Sequence, residues 1–315
     1  MKIFSFFLLV LFLFSCKKNE EIKVANDGLP KPYIMVLGVA QDGGYPQIGC
    51  DKDCCSKQNI KSNGQKYVSS LALVDPNSKK YWLFDATPDL NEQLSHLRNT
   101  LDDDYNFLPS GIFLTHAHIG HYTGLVYLGR EVMNSQNVPV YAMPRMVNFI
   151  NAYGPWNQLT TLNNINLRSI FRDFPVSVNK RIKVIPIPAP HREEYSEMVA
   201  YRIETPNKST LYIPDIDKWE NWHIDLKLLV EDLDFVFVDG TFYDENELPG
   251  RDISEIPHPP IVKTMDYLDD LSDENKAKIH FIHFNHSNPA FKKGSKEMEM
   301  ILDRGFKIAK QFKVY

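Results

Sequence analysis

Gly111-Ile112-Phe113-Leu114-Thr115-His116-Ala117-His118-Ile119-Gly120-His121 decides how this chain is read. The apolar run through Leu114 reads as a buried strand. In a strand, side chains at i and i+2 share a face, so His116 and His118 leave the strand end together. Two imidazoles so placed form a metal grip, and the following turn brings His121 toward the same point. Tyr122-Thr123-Gly124 then leads into a helix that fixes the turn. Packing histidines occur singly, whereas here three of the chain's 10 stand between positions 116 and 121. Neutral imidazole is the commonest ligand of catalytic zinc, and a metal centre is the reading.

Outward from this stretch, β-rich runs alternate with amphipathic ones. Strands are predicted over Tyr33–Ala40, Val68–Val74, Tyr81–Asp85, Gly111–Thr115, Val138–Ala142 and Ile182–Ile187. Further strands are predicted over Met198–Glu204, Ser209–Pro214, Phe235–Asp239, Lys278–Phe284 and Phe306–Val314. Helices are expected over Asp89–Arg98, Tyr122–Asn134, Pro144–Tyr153, Lys218–Val230, Ile261–Leu271 and Phe291–Arg304. The pattern fits two sheets flanked by helices in one α/β domain. At 315 residues and 43% hydrophobic, the chain can bury a large core. A net charge of -5 offers no field for nucleic acid, so a small-molecule or peptide substrate is expected.

The histidine segment resembles the His-x-His-x-Asp-His motif of the metallo-beta-lactamase superfamily, with Gly120 standing where that family has Asp. The resemblance implies a four-layer αββα sandwich. It also implies that His191 after Pro188-Ala189-Pro190, Asp215 after Leu211-Tyr212-Ile213-Pro214, and His283 after Phe281-Ile282 complete the metal ligands. His286 is a rival for the last place, and Asp217 reads as turn chemistry. Asp85, ending Tyr81-Trp82-Leu83-Phe84, stands where the family has an acid that orients a ligand imidazole. The motif Asp binds a second metal, so Gly120 implies one catalytic Zn2+ and a weak second site. Gly120→Asp is then expected to raise metal uptake, at the cost of strain if this glycine has a positive φ.

A narrower resemblance, to the pyrroloquinoline quinone biosynthesis protein B family, rests on five motifs. They are Leu37-Gly38-Val39-Ala40-Gln41-Asp42-Gly43-Gly44-Tyr45-Pro46-Gln47, the Cys50 to Cys55 cluster, Ala86-Thr87-Pro88-Asp89, Val238-Asp239-Gly240-Thr241-Phe242, and His283-Phe284-Asn285 through Asn288-Pro289. That family usually lacks the first two histidines of the metal motif and keeps its Asp, the reverse of this chain.

The expected chemistry is hydrolysis of an ester, phosphodiester or related bond by zinc-activated water, with His116, His118, His191 and Asp215 at the ion. His121 is left either as a proton donor or as a metal ligand with His283. The rivals are a non-haem iron oxygenase, with Fe or Mn in place of zinc, and a non-catalytic binding protein on the same fold.

At the N-terminus, Lys2, the apolar run Ile3–Phe14 and Ser15-Cys16 read as a signal peptide over residues 1–15. Twelve residues at about 1.5 Å rise span only ~18 Å, short of a bilayer core of ~30 Å. Leu13-Phe14-Ser15-Cys16 resembles the bacterial lipoprotein signal, which implies acylation at Cys16, a tether over 16–31, and a domain over 32–315 hung from a membrane on the periplasmic side or cell surface. Cys50, Cys54 and Cys55 then remain, an odd number that cannot all pair within the chain. A structural zinc held by these thiolates is the alternative to disulfides.

Overall fold

The computed structural model describes residues 28–315, apart from 249, 251 and 253–255. The signal segment and most of the tether lie outside the described residues. Among those described, no helix is long and apolar enough to cross a membrane.

The first sheet holds β1 (Tyr33–Gly38), β2 (Ser70–Asp75), β3 (Lys80–Phe84), β4 (Gly111–Phe113), β5 (Val138–Ala142) and β6 (Ile165–Ser169), in that order. Its first three strands are antiparallel neighbours, and β3 to β6 run parallel. The second sheet has the order β13-β12-β11-β10-β9-β8-β7. Those strands are β7 (Val176–Ser177), β8 (Lys183–Pro188), β9 (Val199–Glu204), β10 (Ser209–Ile213), β11 (Phe235–Asp239), β12 (Ile279–Ile282) and β13 (Lys307–Ile308). Here β7 to β10 are antiparallel and β10 to β13 parallel.

Period-two side chains assemble the layers. On β2, Leu71 and Leu73 face the other sheet, while Ala72 and Val74 face the helices. The core between the sheets includes Phe84 and Phe113 from one and Tyr201, Tyr212 and Phe237 from the other. Outside the first sheet lie α2 (Leu90–Thr100), α4 (Pro144–Ala152) and α5 (Trp156–Thr161), whose Leu94, Ile150 and Leu159 join a second core. Outside the second lie α6 (Leu226–Glu231), α7 (Ile261–Tyr267) and α9 (Lys296–Asp303), contributing Val230, Met265 and Ile301 to a third. This is the expected αββα sandwich, and burial on both faces explains why the central strands are apolar without alternation.

Several local expectations change. The helix expected over Tyr122–Asn134 is a single turn, α3 (Ile119–Tyr122), followed by a 3-10 segment over Thr123–Leu128. The one expected over Lys218–Val230 is split, with a 3-10 turn at Trp219–Asn221 before α6; Asp225 caps α6 by accepting from Lys227 N. The strand expected over Phe306–Val314 is only β13, with Val314 returning to bridge Met35. Helices α1 (Lys57–Asn63), α5 and α8 (Asp273–Lys276) and strands β6 and β7 were not foreseen.

Candidate metal centre

Strands β3, β4, β8, β10, β11 and β12 all end at the same edge of the sandwich, and the residue that stops each run faces the seam between the sheets. Asp85 follows β3, His116 follows β4, His191 follows β8 and Asp215 follows β10. Asp239 closes β11, and His283 follows β12. Ligands gather at the carboxyl ends of parallel strands because the loops there diverge and leave a crevice.

The site has two adjoining halves. In the first, one donor atom from each of His116, His118, His191 and Asp215 lies within 4.8 Å of the others. His116 Nε2 is 2.8 Å from His118 Nδ1 and 3.4 Å from Asp215 Oδ2, and His191 Nε2 is 3.7 Å from Asp215 Oδ1. Burial holds His116 well below the ordinary histidine range and brings His191 down to about 4, so these rings are neutral. His191 has no hydrogen-bond partner, while His116 Nε2 shares a hydrogen bond with His118 Nδ1 that a cation between the two rings would replace. His118 is lowered for the same reason, with Glu194 Oε2 3.3 Å from its Nε2.

In the second half, His121 Nδ1 sits 2.8 Å from Asp85 Oδ2, and its Nε2 faces Asp215 Oδ2 at 3.0 Å. Burial opposes a charge on this ring, but Asp85 and Asp215 override it and raise His121 well above its usual value. Asp85 does not cap a helix. It accepts from Thr115 N at 2.8 Å and from the Thr115 hydroxyl at 2.9 Å, locking the strand end that carries the histidines. His283 Nε2 is 3.5 Å from Asp215 Oδ2, and its Nδ1 is 3.0 Å from Thr241 Oγ1. Asp85 and His283 both occupy the left-handed region, at φ 70° and 64°, a strained choice that tertiary packing imposes.

Besides Asp239, three residues at the centre or its rim were not assigned to the site from sequence. Asp42 Oδ1 is 3.5 Å from His121 Nε2. His258 Nδ1 is 2.8 Å from Asp239 Oδ2 and 3.2 Å from Asp215 Oδ1; against the effect of burial, those carboxylates raise it to about 9. Glu194 is the third. His258 also lines a 510 Å³ cleft with Asp217, Trp222, Lys263 and Tyr267. No periodicity marks the loops carrying these residues; Gly43-Gly44 beside Asp42 was the one signal.

Whether a cation fits can be judged from the polar atoms. Asp42 Oδ1, His121 Nε2, both nitrogens of His191, Asp215 Oδ1 and His283 Nε2 are buried without a hydrogen bond. Buried polar atoms are normally paired, and unpaired acceptors gathered in each half, one His191 nitrogen with Asp215 Oδ1 in the first and Asp42 Oδ1 with His121 and His283 Nε2 in the second, fit bound metal.

A separate group lies on the loop after β1. Cys50, Cys54 and Cys55 are free thiols and gather with His286, which therefore joins the cysteines rather than competing with His283. Cys50 Sγ and Cys54 Sγ are 3.7 Å apart, and a tetrahedral ion with Zn–S near 2.3 Å needs a sulfur separation of ~3.8 Å.

A family model described as the beta-lactamase superfamily domain matches residues 81–281. The chain belongs to the beta-lactamase superfamily. Among superfamily relatives, coenzyme PQQ synthesis protein B of Rhizobium meliloti is 25% identical over 296 residues, covering 87% of this chain and 94% of its own. Its counterpart in Nitrosococcus oceani is 27% identical over 311 residues, covering 88% and 97%. The crystal structure of Zn2+-bound PqqB from Methylobacterium extorquens superposes with a TM-score of 0.76 at 20% identity, covering 90% of this chain and 99% of that one. A diphosphatase of the PhnP family superposes at 0.65 and 20% identity, over 91% and 97%. The fold is thus a metallo-beta-lactamase sandwich close to PqqB.

Proposed function

We propose that this superfamily member is a metal-dependent hydrolase of an ester, phosphodiester or related bond in a small-molecule or peptide substrate. The observation that carries the reading is the convergence of His116, His118, His191 and Asp215 on one buried point, with His191 and Asp215 Oδ1 left unpaired. These four would hold Zn2+. When bound, the ion supplies Lewis acidity and acidifies water toward a pKa of about 7.

The chain's own residues arrange the rest. Asp85 fixes the His121 ring and the Thr115 backbone from which His116 and His118 project. Asp239 holds a proton on His258 Nδ1 beside Asp215, placing positive charge on the wall of the cleft, where an anionic reacting group would be stabilised. The cleft joins the aromatic Trp222 and Tyr267 to charged side chains of both signs, with Lys263 paired to Glu245, a lining suited to a substrate with an apolar body and polar groups.

The test is an activity panel of esters, lactones, phosphodiesters and lactams with chelator-stripped and zinc-reloaded protein. Zinc-dependent turnover of one class, absent in His116→Ala, is expected. Zinc-loaded protein inert on the whole panel, together with iron retained on anaerobic purification and O2-dependent product formation, would replace hydrolysis by the oxygenase chemistry.

Export and acylation at Cys16 are proposed alongside. Cys16→Ser is expected to leave the protein unprocessed or release it from membranes, as read by fractionation; membrane retention of a correctly cleaved variant would defeat the anchor.

A further inference from the structure

Gly120 removes a metal-binding carboxylate from the histidine motif, yet the space it leaves is filled. A Cβ at position 120 would lie 2.1 Å from Asp42 Oδ1 and 2.8 Å from Asp42 Cα. Gly120 is not among the glycines with positive φ, so its backbone does not demand glycine. What demands it is the room taken by Asp42.

Asp42 is held firmly in that room. Ala40 bridges both Val68 and Phe284, Gln41 N donates to Phe284 O at 2.8 Å, and Gly44 N donates to Gln41 O at 2.7 Å. The carboxylate therefore hangs from a loop pinned to both sheets. Its Oδ1 lies 3.5 Å from His121 Nε2 and 4.0 Å from His283 Nε2, and all three atoms are buried without a hydrogen bond.

The tautomers follow from the outer partners. The Thr241 hydroxyl donates to Asp239 Oδ1 at 2.7 Å, so at His283 it can only accept, and His283 carries its proton on Nδ1. Asp85 draws a proton to Nδ1 of His121 in the same way. His283 then turns an Nε2 lone pair toward carboxylate oxygens of Asp42 and Asp215, which repels until a cation enters. Nε2 of His121 points at the same oxygens, where it meets them either with a second proton or across a shared cation. A second proton on His121 would relieve that ring alone and leave His283 and Asp42 unpaired.

We propose that Asp42 is the carboxylate ligand of a second divalent ion, shared with His121, His283 and Asp215, and that it replaces from another loop the aspartate missing at position 120. The proposal rests on reading the histidine cluster as a metal centre. With two carboxylates in the set, the second ion is bound more tightly than Gly120 alone implies, and Gly120→Asp no longer adds a donor to open space.

The experiment strips the full chain with chelator, reloads it with Zn2+ alone, and reads ions per chain by elemental analysis and affinity by chelator competition. Counts are read as differences from wild type, because the cysteine loop can hold an ion of its own. Asp42→Gly is expected to lose one ion per chain, Gly120→Asp to lose metal or fold poorly, and Asp42→Gly combined with Gly120→Asp to regain the wild-type count. The isosteric Asp42→Asn, which preserves packing, should weaken one ion at least 10- to 100-fold, the scale of disturbed metal sites. Folded Asp42→Gly and Asp42→Asn proteins with wild-type count and affinity would overturn the proposal, as would a folded double variant that stays one ion short. If His116→Ala removes the only histidine-bound ion of the wild type, Asp42 is no ligand while the one-metal hydrolase stands. If wild type and His116→Ala take up equal zinc, the underlying metal reading fails instead.

Discussion

The histidine centre and the cysteine loop are built in opposite ways. The first draws donors from the ends of strands in both sheets, buried at the seam, and its rings are aimed by Asp85, Thr115 and Thr241. The second takes three sulfurs from positions 50 to 55, partly exposed on one loop, and borrows only His286 from afar. A site assembled by the whole fold is rigid before metal arrives, whereas a site assembled by a loop is ordered by its ion. Metal should therefore serve chemistry in the one and stability in the other.

The largest effect that can break this contrast is His116→Ala. It is expected to abolish the histidine-bound ion and reduce hydrolysis to the level of stripped protein, leaving any zinc on the cysteine loop in place; elemental analysis beside the activity assay checks both. Next, Asp85→Asn preserves shape but no longer favours a proton on His121 Nδ1. Zinc affinity at the histidine centre should fall by about 10- to 100-fold in chelator competition, and the melting temperature should drop as well, because the new amide faces donors on His121 and Tyr212 where the carboxylate accepted.

Cys50→Ser should do the reverse, costing one zinc per chain and lowering the melting temperature while the histidine-bound metal persists. Unchanged zinc and unchanged melting would show that the loop holds no ion.

The smallest effect on metal concerns His280, a buried histidine outside both groups. Burial lowers it to about 4, among Phe235, Phe237 and Tyr315, with Nδ1 2.9 Å from Lys278 O. Its folded value lies below the unfolded value of about 6.5, so its contribution is intact above that pH and is lost as pH falls toward 4. Between pH 7 and 5 the loss is about 2 kcal/mol. Denaturant unfolding at the two pH values should show this acid sensitivity reduced by that amount in His280→Phe, with metal content unaltered.

Much of the centre was legible because its donors obey a local rule. His116, His191, Asp215 and His283 each stop an apolar run, and such a run in a covered sheet ends where the chain emerges into a crevice. The αββα layering was legible for the same reason, since continuous apolar strands require cover on both faces. Helix lengths were less so. Tyr122–Asn134 carries helical spacing, yet the chain passes from one helical turn into a 3-10 segment, where Gly124 packs so closely that a Cβ there would lie 2.1 Å from Thr87 O.

By itself the sequence determined that a strand delivers paired imidazoles, that three cysteines crowd one loop, and that position 120 lacks a carboxylate. It could not determine what stands in that gap. Asp42 reaches it only because the loop after β1 is bridged to Val68, just ahead of β2 in one sheet, and to Phe284, just past β12 in the other, contacts between residues far apart in the chain. Side-chain identity is local, whereas the convergence of lone pairs on one point depends on how two sheets pack. Tertiary structure alone decided that Gly120 makes room for Asp42.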